Sequence, residues 1–340
     1  MQNKIRIILL SSLLVLVLAL GVQAKITLKL AHAHTPEESI IGHAATYFAQ
    51  RVAELTNGEV QVDVYHSGQA GADEREMAES VQFGALDMAI PATSPLTAWN
   101  EKLMLFDLPF LFEDHAHAIR VFDGPVGDHI KAEMLKSGIR ILEIWSAGFR
   151  NVFNNVRPIY EPDDLKGIKI RVMQTPVYLD TFTNLGALPT AMASSELFTA
   201  LQLGVVDAGE NAPGSFNGWG WDDVAKYYSF TQHAFSPMAL IINAKRFDSL
   251  SESHQMAICL AAREASQVQR QYVEKLWGNA VQKAKDKGVL FNEVNDISAF
   301  RNLVLDVYDK YRDKLGYLID YALAEGNGPR SVEEYLSKAK

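Results

Sequence analysis

The sequence predicts an α/β protein of two lobes, each a mostly parallel sheet flanked by helices. Three observations carry that reading. Segments of two-residue alternation, ITLKLA (26–31) and EVQVDVY (59–65), are interleaved with stretches of helical spacing, 39–56 and 73–83. Such βαβ succession makes the strands parallel and covers them with helices. The pattern then restarts near residue 138, and two short echoes connect the halves. Gln82-Phe83-Gly84-Ala85-Leu86-Asp87 matches Gln202-Leu203-Gly204-Val205-Val206-Asp207 in type, and ITLKLAHAHTP (26–36) matches IKIRVMQTP (168–176). Finally, 340 residues exceed what one core usually organises, roughly 250–300.

Taken in order, residues 1–24 stand apart. Lys4 and Arg6 precede an apolar run from Ile7 to Val22, and Val22-Gln23-Ala24 offers small residues where a signal peptidase reads. The expectation is a cleavable signal peptide cut after Ala24, which makes the protein exported and periplasmic. The apolar run is short for a membrane span. The single cysteine, Cys259, allows no internal disulfide, so the exported chain relies on a large core. Its position in a helical pattern among apolar neighbours predicts that this thiol is buried.

After the opening units, ALDMAI (85–90) reads as a buried strand, and GIRILEIW (138–145) and IKIRVM (168–173) as two more. Helices over 177–186 and 195–203 lead to the strand VVDAG (205–209). SPMALIIN (236–243) is an apolar strand that returns the chain to the first lobe. The last third is helical: 252–286 stops before Gly288, VLFNEV (289–294) is a strand, and one helix over 297–324 starts at Asp296 and ends near Gly326. The expected division is 25–148 with about 236–275 as lobe I, and 149–235 with about 276–305 as lobe II. Residues 306–340 form a C-terminal helical segment. Repeated crossings make a hinge, and a hinge between lobes places a ligand in the cleft.

Charge narrows the function. With 32 basic against 41 acidic residues and no basic block, the chain lacks the surplus of a nucleic-acid binder. It also carries no Gly-x-Ser-x-Gly elbow, no His-Glu-x-x-His, no Walker loop and no Gly-x-Gly-x-x-Gly after a strand. Paired carboxylates need no local motif, which leaves a hydrolase open, but the reading is a protein that is not an enzyme and needs no cofactor. His32 and His34 leave a strand with both rings on one face. Either they line the cleft, or they seed a zinc site whose further ligands are not visible in the sequence. Arg171 inside IKIRVM and Arg150 inside GFRNVFN (148–154) are the sharper signal. A guanidinium among buried residues needs an anion, either a ligand carboxylate gripped by its planar fork or an internal acid.

These segments resemble the substrate-binding proteins of TRAP transporters, the DctP-like group. The resemblance covers nearly the whole mature chain: LKLAHAHTPEES, QFGALDMA, GFRNVFNNVRPI, DLKGIKIRVMQTP, and LGALPTAMASSELFTALQLGVVDAGEN (185–211). It implies a two-lobed, type II-like periplasmic binding protein with a long lobe-spanning helix. It also implies closure over a small organic acid, which is then handed to small and large integral membrane subunits. The family's carboxylate-holding arginine matches Arg171, a second arginine matches Arg150, and the polar cleft residue matches Asn211. Thr93 and Ser94 fall at the cleft edge, and Glu74 and His34 at further cleft-facing positions. The chain departs after Asn211, where many members continue directly with Pro; here Ala212-Pro213 leads into a stretch containing Trp219 and Trp221. Aromatic faces suit a sugar ring. The leading ligand is therefore a hexuronate-like sugar acid, with a C4-dicarboxylate or 2-oxo acid as alternatives. A periplasmic zinc-binding protein is the rival from another class, and a sensory module would use the same cleft.

Overall fold

The computed structural model describes residues 25–36, 39–71 and 73–327, so the expected signal peptide lies outside it. Among the described residues nine strands form one sheet: β1 (Ile26–Ala31), β2 (Val60–Tyr65), β3 (Met88–Ala89), β4 (Ile139–Asn154), β5 (Lys169–Val172), β6 (Leu188–Ala191), β7 (Ala208–Asn211), β8 (Tyr227–Asn243) and β9 (Leu290–Glu293). Their spatial order is β2-β1-β3-β8-β4-β7-β5-β6, with β9 added to β8. Two parallel triplets result, β2-β1-β3 and β6-β5-β7, each with the strand that comes first in the chain in the middle. The antiparallel pair β4 and β8 joins them.

The sequence echoes have a structural counterpart. Gly84 (φ +80°) and Gly204 (φ +69°) turn the chain after the helices Glu74–Phe83 and Ser194–Gln202. Glycine takes that left-handed conformation without a Cβ penalty. Asp87 then accepts the Lys29 N–H through Oδ2 at 2.8 Å, and Asp207 accepts the Lys169 N–H through Oδ2 at 3.0 Å. Each aspartate thus ties its loop to the central strand of its triplet, at Lys29 inside β1 and at Lys169, the first residue of β5. The matching positions do the same work in both halves.

The strands β4 and β8, 16 and 17 residues long, reach much further than the sequence reading placed them. The Ser146-Ala147-Gly148 stretch reads as a break in alternation, yet the ladder continues across it through irregular register between Ser146 and Phe149. Gly148 there has φ +97°. Bulges of this kind bend a strand and re-aim its side chains while keeping it paired. Arg150 is therefore a strand residue. ALDMAI contributes only Met88–Ala89 to the ladder, flanked by backbone bonds from Asn243 to the Asp87 carbonyl and from Ile90 to the Ala31 carbonyl.

The helix Glu252–Asp286 has 35 residues, about 52 Å at 1.5 Å per residue. Ser251 caps it by accepting the His254 N–H, and Lys283 and Lys285 complement its C-terminal dipole. It packs on the helix Ile40–Leu55, on β4 and on the short helix Pro213–Gly218. Ile258, Ala261, Ala262 and Ala265 face inward, and their small side chains permit close approach. Cys259 sits one position round from Ile258 and is exposed, contrary to expectation. Gln269 clamps the helix to the β4 irregularity, donating to the Ser146 carbonyl and accepting the Ser146 N–H. No helix among the described residues is long and apolar enough to cross a membrane.

The helix expected over 297–324 is three helices, Ile297–Leu303, Leu305–Leu315 and Tyr317–Ala324. They break at Val304 and at Gly316, whose φ of +55° with ψ of −135° no helix accommodates. The apolar periodicity continues across both breaks, which is why the pattern alone joins them.

Gly209 in β7 is held by packing. A Cβ there would lie 2.7 Å from both Leu197 Cδ2 and Phe153 Cζ. Gly209→Ala should therefore cost about 1–3 kcal/mol through overpacking, read as a lower urea midpoint with an unchanged slope. An unchanged midpoint would show that this strand has room that the packing denies.

Candidate functional site

In both triplets the parallel strands end at one edge, β1 and β2 at Ala31 and Tyr65, β5 and β6 at Val172 and Ala191. Ligands of open α/β sheets bind outside such carboxyl edges. His32, His34, His66, Glu74, Thr93 and Ser94 follow the edge of the first triplet, and Arg171, Thr175 and Asn211 that of the second. Glu74 and Arg171 lie within each other's electrostatic field, so the two edges face one another.

The two arginines have different fates. Arg150 is 1% exposed and every N–H of its guanidinium is used. Nε and one terminal nitrogen bond the Glu210 carboxylate at 2.5 and 2.8 Å. The same nitrogen reaches the Glu210 carbonyl at 2.8 Å, and the other donates to Asn211 Oδ1 at 3.2 Å and Ser236 Oγ at 3.0 Å. The Tyr178 ring lies under this group, 5.6 Å from the guanidinium carbon. Burial alone would raise the Glu210 carboxyl, but Arg150 and His233 outweigh it and hold the group down at about 2. Of the two readings the sequence leaves open, Arg150 realises the internal ion pair.

Arg171, 2% exposed, has no carboxylate in contact among the described residues. Its Nε donates to the Met192 carbonyl at 2.8 Å and one terminal nitrogen to Ser194 Oγ at 3.0 Å. The other terminal nitrogen is buried with no partner. Desolvation, joined by repulsion from Arg150, lowers its pKa to about 10 against the attraction of Glu210 and Glu74, so it remains a cation at neutral pH. Among the described residues one other guanidinium has a buried unpartnered nitrogen, that of Arg140, which lies over Phe247 and bonds Asp248.

Further buried polar atoms have no partner among the described residues: the Tyr178 hydroxyl, which lies in the field of both arginines, and Thr93 Oγ1. Buried polar groups are nearly always bonded, so such atoms mark places where something else supplies the bonds. Burial pushes the Asp107 carboxyl up to about 7, against the hydroxyls of Thr175 and of Ser94, whose Oγ donates to it at 2.6 Å. Asn211 Oδ1 accepts from Arg150 and from the Ala212 N–H, which leaves its amide nitrogen as the group it can offer. Glu74 Oε1 accepts the Ala92 N–H at 3.1 Å, and burial raises its carboxyl.

Trp219 and Trp221 stack on each other, 5.8 Å apart and 7° from parallel. Trp221 is fully buried and stacks in turn on Phe153, while Trp219 packs against both hydrophobic clusters. The pair is thus largely absorbed by the core. His32 and His34 stand 6.3 Å apart by ring centroid, and no group of three or more His, Cys, Asp or Glu among the described residues is arranged to hold a metal ion.

The profile of the bacterial extracellular solute-binding proteins, family 7, matches residues 30–314. The chain belongs to this family. The 2,3-diketo-L-gulonate-binding periplasmic protein YiaO of Escherichia coli K12 is 33% identical over 78% of this chain and 82% of its own. A TRAP periplasmic solute binding protein from Polaromonas sp. JS666, bound to D-erythronate, is 34% identical with a TM-score of 0.85, covering 88% of this chain and 99% of that one. Another from Roseobacter denitrificans, with bound β-D-glucuronate, is 31% identical with a TM-score of 0.84, again over 88% and 99%. The two-lobed binding-protein fold follows, as the sequence predicts. Family 7 members are solute-binding transport proteins, not enzymes.

Within this family member, sequence reasoning missed Glu210, Ser236, Asp107, Tyr178 and Ser194. Glu210 carries a readable signal, because a lone acid in the otherwise uncharged, fully buried AGEN strand requires a cation. The others are reached only through the fold.

Removing Glu210 leaves Arg150 charged and buried, so Glu210→Ala should destabilise by about 3–5 kcal/mol at pH 7. The folded pKa lies below the ordinary 4.5, so this contribution is complete above that value and lost as pH falls toward about 2. Urea midpoints of wild type and variant should converge over that window. A gap that stays constant through it would show that the ion pair is not what Glu210 contributes.

Proposed function

We propose that the chain is the extracytoplasmic capture subunit of a TRAP transporter, holding a small organic acid between its lobes with Arg171 as carboxylate anchor. The observation that carries this is the Arg171 guanidinium: buried, cationic, oriented by Met192 and Ser194, and still owning an unsatisfied N–H. A guanidinium in that condition is completed by a carboxylate accepting in its fork. Arg150 supports the site differently, by fixing Asn211 and Glu210 in place. Asn211, Thr93, Tyr178 and Thr175 then supply neutral hydrogen bonds around the bound acid. Solved relatives carry sugar acids such as D-erythronate and β-D-glucuronate, which supports a sugar acid as the ligand class.

Binding follows from closure. The anchor stands on the edge of one triplet and Glu74, Thr93 and the histidines on the other, so a ligand touching both sets stabilises only the closed arrangement. Water leaves as the edges meet, and the attraction between carboxylate and Arg171 strengthens with the falling local dielectric. The filled protein would then deliver its acid to small and large membrane subunits.

Arg171→Ala should leave the protein folded, since it removes a desolvated charge lacking a contacting acid. Its affinity for the acid should fall by about two to four decades, corresponding to about 3–5 kcal/mol. Titration calorimetry on a hexuronate decides: undiminished binding by the variant would refute the anchor. Export is checked separately, by intact mass of the periplasmic form. Cleavage after Ala24 leaves Lys25 as the first residue, and a mass retaining Met1–Ala24 would overturn that reading.

A further inference from the structure

Asp107 closes the 3₁₀ turn Glu101–Asp107, and its carboxyl is one that the proposed capture function does not use. It is 1% exposed, and among the described residues no cation contacts it. Its partners are hydroxyls. Ser94 Oγ stands 2.6 Å from Oδ1, and the Thr175 hydroxyl acts on the same carboxyl. Ser94 follows β3 on the first edge and Thr175 follows β5 on the second, so Asp107 lies where the two edges join.

The elements packed against this turn are the 3₁₀ turn Ser94–Ala98, the helices Pro176–Asn184 and Leu305–Leu315, and β8. From the first helix Tyr178 faces the junction as a neutral phenol, its pKa raised by burial. From the second, Tyr311 donates to Asp180 Oδ2 at 2.7 Å and is likewise kept neutral by burial and that acid. Lys310 beside it pairs with Asp180 Oδ1 at 2.7 Å. On β8, burial lowers the His233 pKa, and the ring turns to Glu210. Glu101 and Lys102, at the start of the turn itself, are engaged with Lys314. Further off, Arg150 attracts the Asp107 carboxylate and Glu210 repels it, and those two are already paired with each other. A buried carboxylate held by hydroxyls alone is costly, and a proton removes that cost. The neutral carboxyl also gains a donor, so it can donate to one hydroxyl while accepting from the other.

We propose that Asp107 is a proton-binding site that joins the two carboxyl edges: neutral, it links Ser94 to Thr175, and ionised, it leaves a charge without a contacting cation at their junction. This goes beyond the proposed capture function and stands whether or not Arg171 is the anchor.

The protonation follows the burial, which raises this carboxyl from 3.8 to about 7. Because the folded value lies above the ordinary one, the folded protein keeps the proton between 3.8 and about 7 while the unfolded chain loses it. The stabilisation from this group is complete below 3.8 and is lost as pH rises to about 7.

NMR titration of the ligand-free mature chain, isotope-labelled at its aspartate carboxyl carbons, tests the site. One resonance should titrate with a midpoint near 7 and be missing from Asp107→Asn. Thr175→Val removes a hydroxyl that favours the carboxylate, so it should shift that midpoint upward, and it identifies the resonance if Asp107→Asn does not fold. In urea, the unfolding constant of wild type relative to Asp107→Asn should rise about tenfold per pH unit from about 5 to about 7, then level off. A hydrogen bond without proton exchange would leave that ratio constant. No aspartate titrating above about 5, or a ratio flat through this window, would overturn the proton site. A midpoint unmoved in Thr175→Val would overturn the link between the edges.

Discussion

The saturated guanidinium of Arg150 is the constraint on which the centre of the molecule depends. It ties three strands through Glu210, Asn211 and Ser236, at the place where β7, β4 and β8 meet. An ion pair so deeply buried adds little net stability, because desolvation consumes much of its attraction. Its value is geometric. Both charges must find their partner in one arrangement, so β7 cannot slip relative to β4 without leaving a naked charge in the core. Asn211 is thereby held at the end of its strand with its amide oxygen spent and its nitrogen available.

The pair also defines Arg171 by contrast. Two arginines occupy one low-dielectric region with one contacting carboxylate between them, and Arg150 has taken it. Arg171 is left with a carbonyl and a hydroxyl, which orient a guanidinium but do not neutralise it. Glu210 and Glu74 act on it at longer range and offset part of the desolvation. A cation in this condition suits the proposed role of Arg171, completion by an anion arriving from outside. The net charge of −9 bears on the same proposal: the protein as a whole does not attract acids, so the proposed capture would depend on this local positive group.

Much of this is legible in the sequence because it is repeated. Each half writes strand, helix, strand, helix, strand, and each ends a helix with Gly84 or Gly204 before an aspartate that pins the central strand. Local rules of period and turn chemistry recover that order. They fail where tertiary structure overrides a local signal. Ser146-Ala147-Gly148 looks like an ending and is a bend inside β4; residues 297–324 look like one helix and are three. Arg171 and Arg150 are both visible as charges in apolar strands, but which one owns Glu210 depends on β7 lying beside β4 rather than beside β8, a fact of topology that no spacing encodes. Asp107 and Tyr178 belong to the site only because a 3₁₀ turn and a distant helix converge on it.

The same topology explains why the two ends of the cleft can differ so completely in character. The triplets are alike in strand order, yet their carboxyl edges are finished by different residues, Arg171, Thr175 and Asn211 on one, and three histidines, Glu74, Thr93 and Ser94 on the other. An equal distribution would give two weak sites, each satisfied by a separate small ion. An unequal one makes each edge incomplete alone, since the cation lacks its anion and Nε2 of His32 and of His34 lacks a partner among the described residues. One molecule carrying both functions at the right separation completes them together, and it does so only when the edges are close. On the proposed function, selectivity and closure would be the same event: a ligand with the wrong far end would leave buried polar groups unpaired, and the closed arrangement would lose the contacts that favour it.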